Sequence, residues 1–406
     1  MFISIRGRVL INVEALNMTE SVGNYVKHRR VPVLLPSTYT TYFVPAISGE
    51  SIAHGYQEVL AGEAKKNNIP VCKLCERGIF LKSTNESVFN GAFGKKPPKD
   101  EFEFEKEVVS NCIVEDVGGF LYAPRAGGNV KRTSNFYTGY MIPVKEILES
   151  IVIEPQLHSR YALGTPYVAK GAIGQMIYYV ELSSAVYTFS FDLDTRFIGR
   201  ATFVYGKVGE SLVNNIDERI LVTLDSVKKF LTEMMFGAKK TRFLPVVDWE
   251  SLVVAVADDV WTIPSPNSVK YMDNARRKAE KVGDNLKLFF YINPDIFKGT
   301  SEYVKRKTEE LINTLKQVID EWRRNIQEKM PEYASKIDWD SIVKSKLESL
   351  ISKRLDEVTE SEDLRYITNV SDVYFKVKEN LGRELYEDFT TCLVDAINEA
   401  KSRVGR

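Results

Sequence analysis

Histidine is scarce in this chain of 406 residues, which contains only His28, His54 and His158. The sequence has no HExxH metalloprotease motif, no GxSxG nucleophile elbow and no GxxxxGK[ST] phosphate loop. Gly118-Gly119 and Gly127-Gly128 are isolated pairs and do not form a dinucleotide-binding fingerprint. Because an active site needs a nucleophile, a base and an orienting group, these absences predict a protein that is not an enzyme and uses no cofactor.

Cysteine is also rare, and four residues are too few for a disulfide framework in a chain of this length. Cys72 and Cys75 have the CxxC spacing of a zinc ligand pair, but Cys112 and Cys392 are isolated in the sequence. Ordinary buried thiols are therefore the favoured interpretation, a structural zinc ion is the alternative, and no metal site is predicted.

Long apolar runs are missing as well. No segment approaches the roughly 20 residues that a membrane-spanning helix needs, and the N-terminus MFISIRGRVL lacks the apolar stretch of a signal peptide. We therefore expect a cytoplasmic protein with no membrane partner. A hydrophobic content of 44% is enough for a sizeable core, and the length favours two domains, or one domain with large insertions.

The chain has no excess of positive charge, because 55 Lys and Arg balance 55 Asp and Glu. A protein that coats nucleic acid non-specifically usually carries a net positive charge. Any nucleic-acid role must therefore depend on local clusters of basic residues.

Three such clusters occur in segments without acidic residues. The first basic cluster is Lys27, His28, Arg29 and Arg30; the second is Arg125, Lys131, Arg132 and Lys145; the third is Lys239, Lys240 and Arg242. Aromatic residues or glycines accompany each cluster, among them Tyr25, Phe136, Tyr137, Tyr140 and Phe243. Cations neutralise phosphates, aromatic rings stack on bases, and glycine allows close approach of the main chain. The bland alternative is that these are surface charges, and that the third cluster only complements a helix C-terminus.

The apolar pattern predicts an α+β core. Strands are predicted at Phe2 to Val13, Thr41 to Ile47, Gly174 to Leu182, Ala185 to Asp192 and Asp248 to Ala257. Helices are predicted from Gly49 to about Lys66, with Ser48 as N-cap, and from Val222 to Phe236, capped by Gly237. We expect these two helices to pack on one face of an antiparallel sheet.

Other segments carry weaker signals. Leu16 to Pro36 is predicted as a loop, and Asp100 to Glu105 as an exposed edge strand. Helical patterns follow at Tyr303 to Met330, Ser341 to Leu355 and Val373 to Arg403, which predicts an all-helical C-terminal region.

Three blocks of the sequence resemble a known family. The first begins at Glu14-Ala-Leu-Asn17 and ends in Val44-Pro-Ala-Ile-Ser-Gly-Glu-Ser-Ile-Ala-His54. The second is Asp116-Val-Gly-Gly-Phe-Leu-Tyr122 with Lys131-Arg-Thr-Ser134 and Gly139-Tyr-Met-Ile-Pro143, and the third is Phe236 to Pro245. In this order, over about the first 270 residues, they resemble the archaeal CRISPR Cascade backbone subunit of the DevR/Csa type, the seventh Cas family, of a type I-A-like system.

The resemblance implies an RRM-like (ferredoxin-like) palm at residues 1–285, with insertions at about 67–110 and 117–175, the latter thumb-like. Residues 286–406 would form the helical C-terminal region, which is longer than this family leads us to expect. It also implies a subunit of a CRISPR surveillance complex in antiviral defence. This subunit would bind crRNA, meet target DNA through the guide, contact other Cascade subunits and join its own copies in a heterologous helical filament. The RNA-binding residues carried over are Lys27, His28, Arg29, Arg30, Ser48, Ser51, His54, Gln57, Arg125, Lys131, Arg132, Lys239, Lys240 and Arg242.

Two other functions remain open from the sequence. A CRISPR-associated endoribonuclease would use His28 or His54 as general base, but related subunits that cut RNA carry an acidic residue in the loop after the first strand. Residues 21–49 contain neither Asp nor Glu, which disfavours cleavage. A DNA-binding autoregulator would need a recognition helix with a basic first turn, and the sequence has none.

Overall fold

A computed structural model describes residues 1–35, 38–124, 128–161, 175–282, 285–296 and 373–405, and scattered helical positions between 317 and 331. The chain forms two compact units, Met1–Ile292 with Arg383–Arg406, and Asn293–Gly382. Among the described residues, no helix has both the length and the hydrophobicity that crossing a bilayer requires.

The first unit contains thirteen strands and seven helices among its described residues. The strands are β1 (Phe2–Glu14), β2 (Met18–Val22), β3 (Tyr25–His28), β4 (Arg30–Leu35), β5 (Thr40–Pro45), β6 (Phe120–Tyr122), β7 (Val130–Arg132), β8 (Phe136–Thr138), β9 (Ile153–Tyr161), β10 (Gln175–Asp194), β11 (Val246–Ala257), β12 (Leu286–Ile292) and β13 (Leu385–Tyr386). The helices are α1 (Gly49–Lys66), α2 (Glu86–Phe93), α3 (Glu101–Asn111), α4 (Ile113–Gly118), α5 (Ile216–Glu233), α6 (Tyr271–Val282) and α7 (Phe389–Ser402).

A nine-stranded mixed sheet forms the centre of this unit. Its order is β13-β12-β11-β1-β10-β3-β2, and β8 and β9 also pair with β10. The pairs β10–β3 and β12–β13 are parallel, and the other pairs are antiparallel. Strand β1 lies between β11 and β10, and both of its faces are covered, since Ile5 on one face and Ser4 on the other are fully buried.

The helices α1 and α5 pack together with the sheet around Tyr56. Its ring meets Phe136 of β8, Phe191 of β10 and Phe230 of α5 edge to face, with centroids 4.9, 5.0 and 5.9 Å away. Edge-to-face contacts of this kind stabilise a core beyond the area that they bury. The expected α+β core with two main helices against a sheet is confirmed, but the sheet is mixed and not antiparallel throughout.

Local predictions had mixed outcomes. The Ser48 cap of α1 is confirmed, since Ser48 Oγ accepts a hydrogen bond from the Ser51 amide. The predicted edge strand at Asp100 is wrong, because Asp100 instead caps α3 and Phe104 is buried on that helix. The predicted loop from Leu16 is also wrong, since β2, β3 and β4 lie there.

The C-terminal prediction also needs correction. Residues 286–292 form β12 within the main sheet, and α7 returns to the same unit, where Phe389 stacks on Trp249 at 4.9 Å. The all-helical region therefore does not begin at 286. The helices predicted at 303–330 and 341–355 lie wholly or mainly outside the described residues.

Candidate nucleic-acid interface

Leu16 and Asn17, just after β1, connect three segments that are far apart in the chain. The Asn17 carbonyl accepts the Arg29 amide at 2.8 Å, and the Asn17 Oδ1 accepts the Ser48 amide at 3.0 Å. The Leu16 carbonyl accepts the amide of Ala238 at 2.7 Å. We call this the Leu16–Asn17 junction; it joins the first basic cluster, the N-terminus of α1 and the third basic cluster.

Glycine is required on the third-cluster side of the junction. Gly237 has φ +90°, and a Cβ there would lie 2.7 Å from the Leu16 side chain. A second close approach occurs at Gly55 of α1, where a Cβ would lie 2.1 Å from the Met235 carbonyl oxygen. The segment after α5 therefore lies directly against α1.

Within the first basic cluster, Arg29 has the most capacity for a ligand. Its Nη1 is 3.5 Å from the hydroxyl of exposed Tyr140, and its buried Nε has no partner among the described residues. Arg30 is half exposed and donates from Nη2 to Glu181 at 2.7 Å. Lys27 is half-buried on β3. Glu181, which is distant in sequence, therefore neutralises part of a segment that has no acidic residue of its own.

His28 has a structural role instead. Its ring nitrogens lie 2.6 Å from Glu14 Oε1 and 2.9 Å from the Arg29 carbonyl oxygen. Both neighbours are acceptors, so both nitrogens must donate, which requires the charged imidazolium. Burial opposes that charge, but the hydrogen bond and charge of Glu14 outweigh it, and the pKa of His28 is raised. With 2% of its surface exposed, His28 is not available to RNA in this structure.

Of the four residues predicted at α1, Ser51 and His54 are accessible, whereas Ser48 and Gln57 are buried. Ser48 is buried as the N-cap, and half-buried Ser51 lies in the first turn. His54 is exposed, 3.3 Å from Glu58. Gln57 is buried against Gly118 and donates to the Ala53 carbonyl, so we remove it from the interface.

The third basic cluster also divides. Arg242 is exposed and Lys239 is half-buried, whereas Lys240 Nζ donates to the Met234 carbonyl at 2.7 Å. Lys240 thus complements the end of α5, where Met234, not Gly237, is the left-handed C-cap. Burial lowers the pKa of Lys240.

The second basic cluster does not form one surface. Arg125 lies outside the described residues, and Lys131 is exposed on β7. Arg132 is buried: Nη1 donates to Glu105 at 2.8 Å and Nη2 to Asp116 at 2.5 Å. The same guanidinium donates to the carbonyls of Asp116, Phe197 and Arg200. Arg132 is a core residue in this structure, and we remove it from the interface.

The structure therefore leaves a smaller candidate interface around the Leu16–Asn17 junction. Its members are Lys27, Arg29, Arg30, Ser51, Tyr140, Lys239 and Arg242. The buried partners Glu14 and Glu181 were missed by sequence reasoning, because neither lies near a basic cluster in the sequence.

A family model described as "CRISPR-associated negative auto-regulator DevR/Csa2" matches residues 5–276. The chain belongs to this family.

Two curated relatives come from Saccharolobus solfataricus. "CRISPR-associated protein Cas7/Csa2 1" is 37% identical over 281 residues, 67% of this chain and 85% of the relative. "CRISPR-associated aCascade subunit Cas7/Csa2 2" is 40% identical over 258 residues, 62% of this chain and 78% of the relative. A chain of the solved "CRISPR RNA-guided surveillance complex, pre-nicking" is 9% identical with a TM-score of 0.42, covering 72% of this chain and 92% of that one. At that score the structural likeness says nothing about function.

Proposed function

We propose that this DevR/Csa2 family member is a cytoplasmic, non-catalytic backbone subunit that binds crRNA in a Cascade-type surveillance complex. The observation that carries the proposal is the Leu16–Asn17 junction, which hydrogen bonds to the backbone beside Arg29, at the start of α1 and before Lys239. A polyanion that follows these three segments meets cations of the first and third clusters and the positive end of the α1 dipole.

Arg29 is the central contact of this proposal. A guanidinium offers five N–H donors, and among the described residues the side-chain hydrogen bond of Arg29 engages Nη1 alone, with the Tyr140 hydroxyl. A phosphate oxygen would supply an acceptor for the remaining Nη donors together with an opposite charge. Tyr140 beside it is 42% exposed and offers a ring for base stacking.

The helix α1 adds a smaller contribution. Its N-terminus carries the positive end of the helix dipole, which favours an anion. Glu50 in the same turn offsets part of this charge. The contacts of Arg29 and Lys239 with the phosphate backbone of the RNA would therefore contribute more to binding than the helix dipole.

The strand connections support the RRM-like palm. The path β1-α1-β8-β10-α5-β11 is a βαββαβ order, and β10 pairs with β1 and β8 while β1 pairs with β11. This is the arrangement of the ferredoxin-like motif, on which RRM domains bind RNA across a sheet. The hairpin of β9 with the first half of β10 would then belong to the thumb.

The names of the relatives support the assembly. One is called an aCascade subunit, and on that basis we propose that this chain contacts other Cascade subunits and its own copies in a heterologous filament. Target DNA would be met through guide pairing, with the protein reading backbone and shape.

We also propose that the chain does not cut RNA. His28 is buried with both ring nitrogens engaged, and His54 is paired with Glu58. Labelled repeat RNA should therefore remain intact with the purified protein. Cleavage that disappears in His54→Ala would overturn this part of the proposal.

The decisive experiment measures RNA binding against salt concentration for the wild type, Arg29→Gln and Lys281→Gln. Lys281 is an exposed lysine on α6, which is distant in sequence from every segment of the interface, so its variant controls for charge loss. Loss of one phosphate contact should reduce the slope of log K against log salt by about 0.7 for single-stranded RNA. Equal slopes for Arg29→Gln and wild type would remove Arg29 from the RNA path.

The description of the family as a negative auto-regulator favours a second candidate, autoregulation through DNA. The nucleic acid that copurifies with the full chain discriminates the two functions. Short RNAs with repeat-derived ends support the subunit function, whereas duplex DNA supports the regulator.

A further inference from the structure

Three buried cysteines and a glutamate converge beyond the end of α1. Cys72 and Cys75 lie in the turn that follows this helix, Cys112 lies between α3 and α4, and Glu115 is in the first turn of α4. One potential ligand atom from each lies within 4.8 Å of all the others. The amide of Ile113 donates to the Pro70 carbonyl at 3.0 Å and holds the two segments together.

We propose that Cys72, Cys75, Cys112 and Glu115 bind a structural zinc ion. Zinc binds four ligands tetrahedrally, at about 2.3 Å for sulfur and about 2.0–2.2 Å for carboxylate oxygen. These lengths put neighbouring ligand atoms roughly 3.5–3.8 Å apart. Cys72 Sγ and Glu115 Oε1 are 3.7 Å apart, so this pair already has the required spacing.

The CxxC turn is shaped for a thiolate ligand. The Cys75 amide points at Cys72 Sγ at 3.4 Å, and such second-shell donors orient a metal ligand. Gly78 closes the turn at φ +72°, where its amide donates to the Cys75 carbonyl. One amide therefore already faces the sulfur that would carry the negative charge of a ligand.

The environment of Glu115 is a second, independent observation that supports a metal ion at this cluster. Its residue is 1% exposed, and its Oε2 has no hydrogen-bond partner among the described residues. A buried carboxylate oxygen without a hydrogen-bond partner is costly, and a divalent ion would remove this cost. Lys82 lies close enough to interact electrostatically with Cys75, Cys112 and Glu115, which offsets part of the remaining negative charge.

Four protein ligands complete a tetrahedral shell, which is typical of structural and not catalytic zinc sites. The metal would fasten the turn after α1 to α4, whose last residue Gly118 abuts Gln57 of α1. It would therefore anchor the first insertion to the core. This inference does not depend on the proposed RNA function.

The test is metal analysis of the full-length protein, expressed in zinc-supplemented medium and washed with a weak chelator. We expect one zinc ion per chain in the wild type and in Cys392→Ser, and loss of zinc in Cys75→Ser and Cys112→Ser. Cys392 is an equally buried free cysteine outside the cluster, so its variant controls for the packing effect of the substitution. Glu115→Gln should weaken zinc affinity by at least about tenfold.

Cobalt substitution of the wild type keeps the test valid where a cysteine variant fails to fold. Tetrahedral thiolate ligation predicts strong d–d bands and a sulfur-to-cobalt charge-transfer band. Three results would overturn the proposal: zinc-free protein whose reduced form does not bind Co²⁺, equal zinc content in wild type and folded Cys112→Ser, or a Cys72–Cys75 disulfide in freshly prepared protein.

Discussion

Replacement of Arg132 by alanine separates a structural role from an RNA-binding role. The guanidinium is buried between Glu105 and Asp116, and Asp116 also pairs with Arg219 at 3.0 Å. Without Arg132, Asp116 keeps Arg219, but Glu105 keeps only neutral donors from Thr202 and Phe203. Arg132→Ala therefore leaves one buried carboxylate without a cation.

Breaking a buried ion pair from one side costs about 3–5 kcal/mol. The three carbonyl acceptors that lose this donor add to the cost, at roughly 1 kcal/mol each where water does not replace it. The ion pair alone, at about 4 kcal/mol, lowers the folding equilibrium constant by about a thousandfold. Lys131→Ala, the adjacent exposed position, should change stability by no more than about 0.5 kcal/mol.

The assay is urea unfolding of the full-length variants, followed by tryptophan fluorescence and by far-UV circular dichroism. Two probes are needed because the chain has two units and need not unfold in one step. The expected result is a much lower midpoint for Arg132→Ala and an unchanged one for Lys131→Ala. An Arg132→Ala protein with wild-type stability and lost RNA binding would refute the reasoning and return Arg132 to the interface.

Two further predictions concern α1 and β3. Gly55→Ala should destabilise the protein, because its Cβ would collide with the Met235 carbonyl. On the same helix, a Cβ at Gly62 would meet nothing within 4 Å, so Gly62→Ala should stabilise the protein by about 1 kcal/mol. Thermal melts of both variants check this, and equal shifts of the melting temperature would contradict it. Since the folded pKa of His28 is raised, its pairing with Glu14 stabilises fully below the unfolded pKa of about 6.5 and is lost as pH rises through the folded pKa. The free energy of unfolding of His28→Gln should therefore fall furthest below that of the wild type on the acidic side. A difference that is independent of pH between 5 and 9 would contradict a charged His28 paired with Glu14.

Elements with strong local signals were predictable. The alternation in β1 and the Ser48 cap of α1 follow from side-chain period and hydrogen-bonding chemistry, which a few neighbouring residues determine. The segment at Asp100 misled because its alternating acidic and aromatic residues resemble a strand. Its aromatic Phe104 is instead buried on a helix, where it stacks on Tyr122 at 4.3 Å.

The interface could be predicted only in part. Arg29 and Arg242 of the candidate interface were predicted because basic segments without acidic residues are visible in the sequence. In the sequence, Arg132 also lies in a basic segment without acidic residues, yet the fold surrounds it with carboxylates from positions 16 and 27 residues away. Burial distinguishes such residues, and burial is a property of the packed chain.

The sequence by itself determined the α+β character, the start of α1, the basic segments and the family to which the chain belongs. Only the tertiary structure decided which of these cations lie near the surface and which are buried beside carboxylates in the core. It also brought Cys112 and Glu115 to the Cys72–Cys75 turn. The physical reason is that charge compensation and metal ligation depend on distances of a few ångströms. Such distances between segments far apart in the sequence are set only when the chain folds.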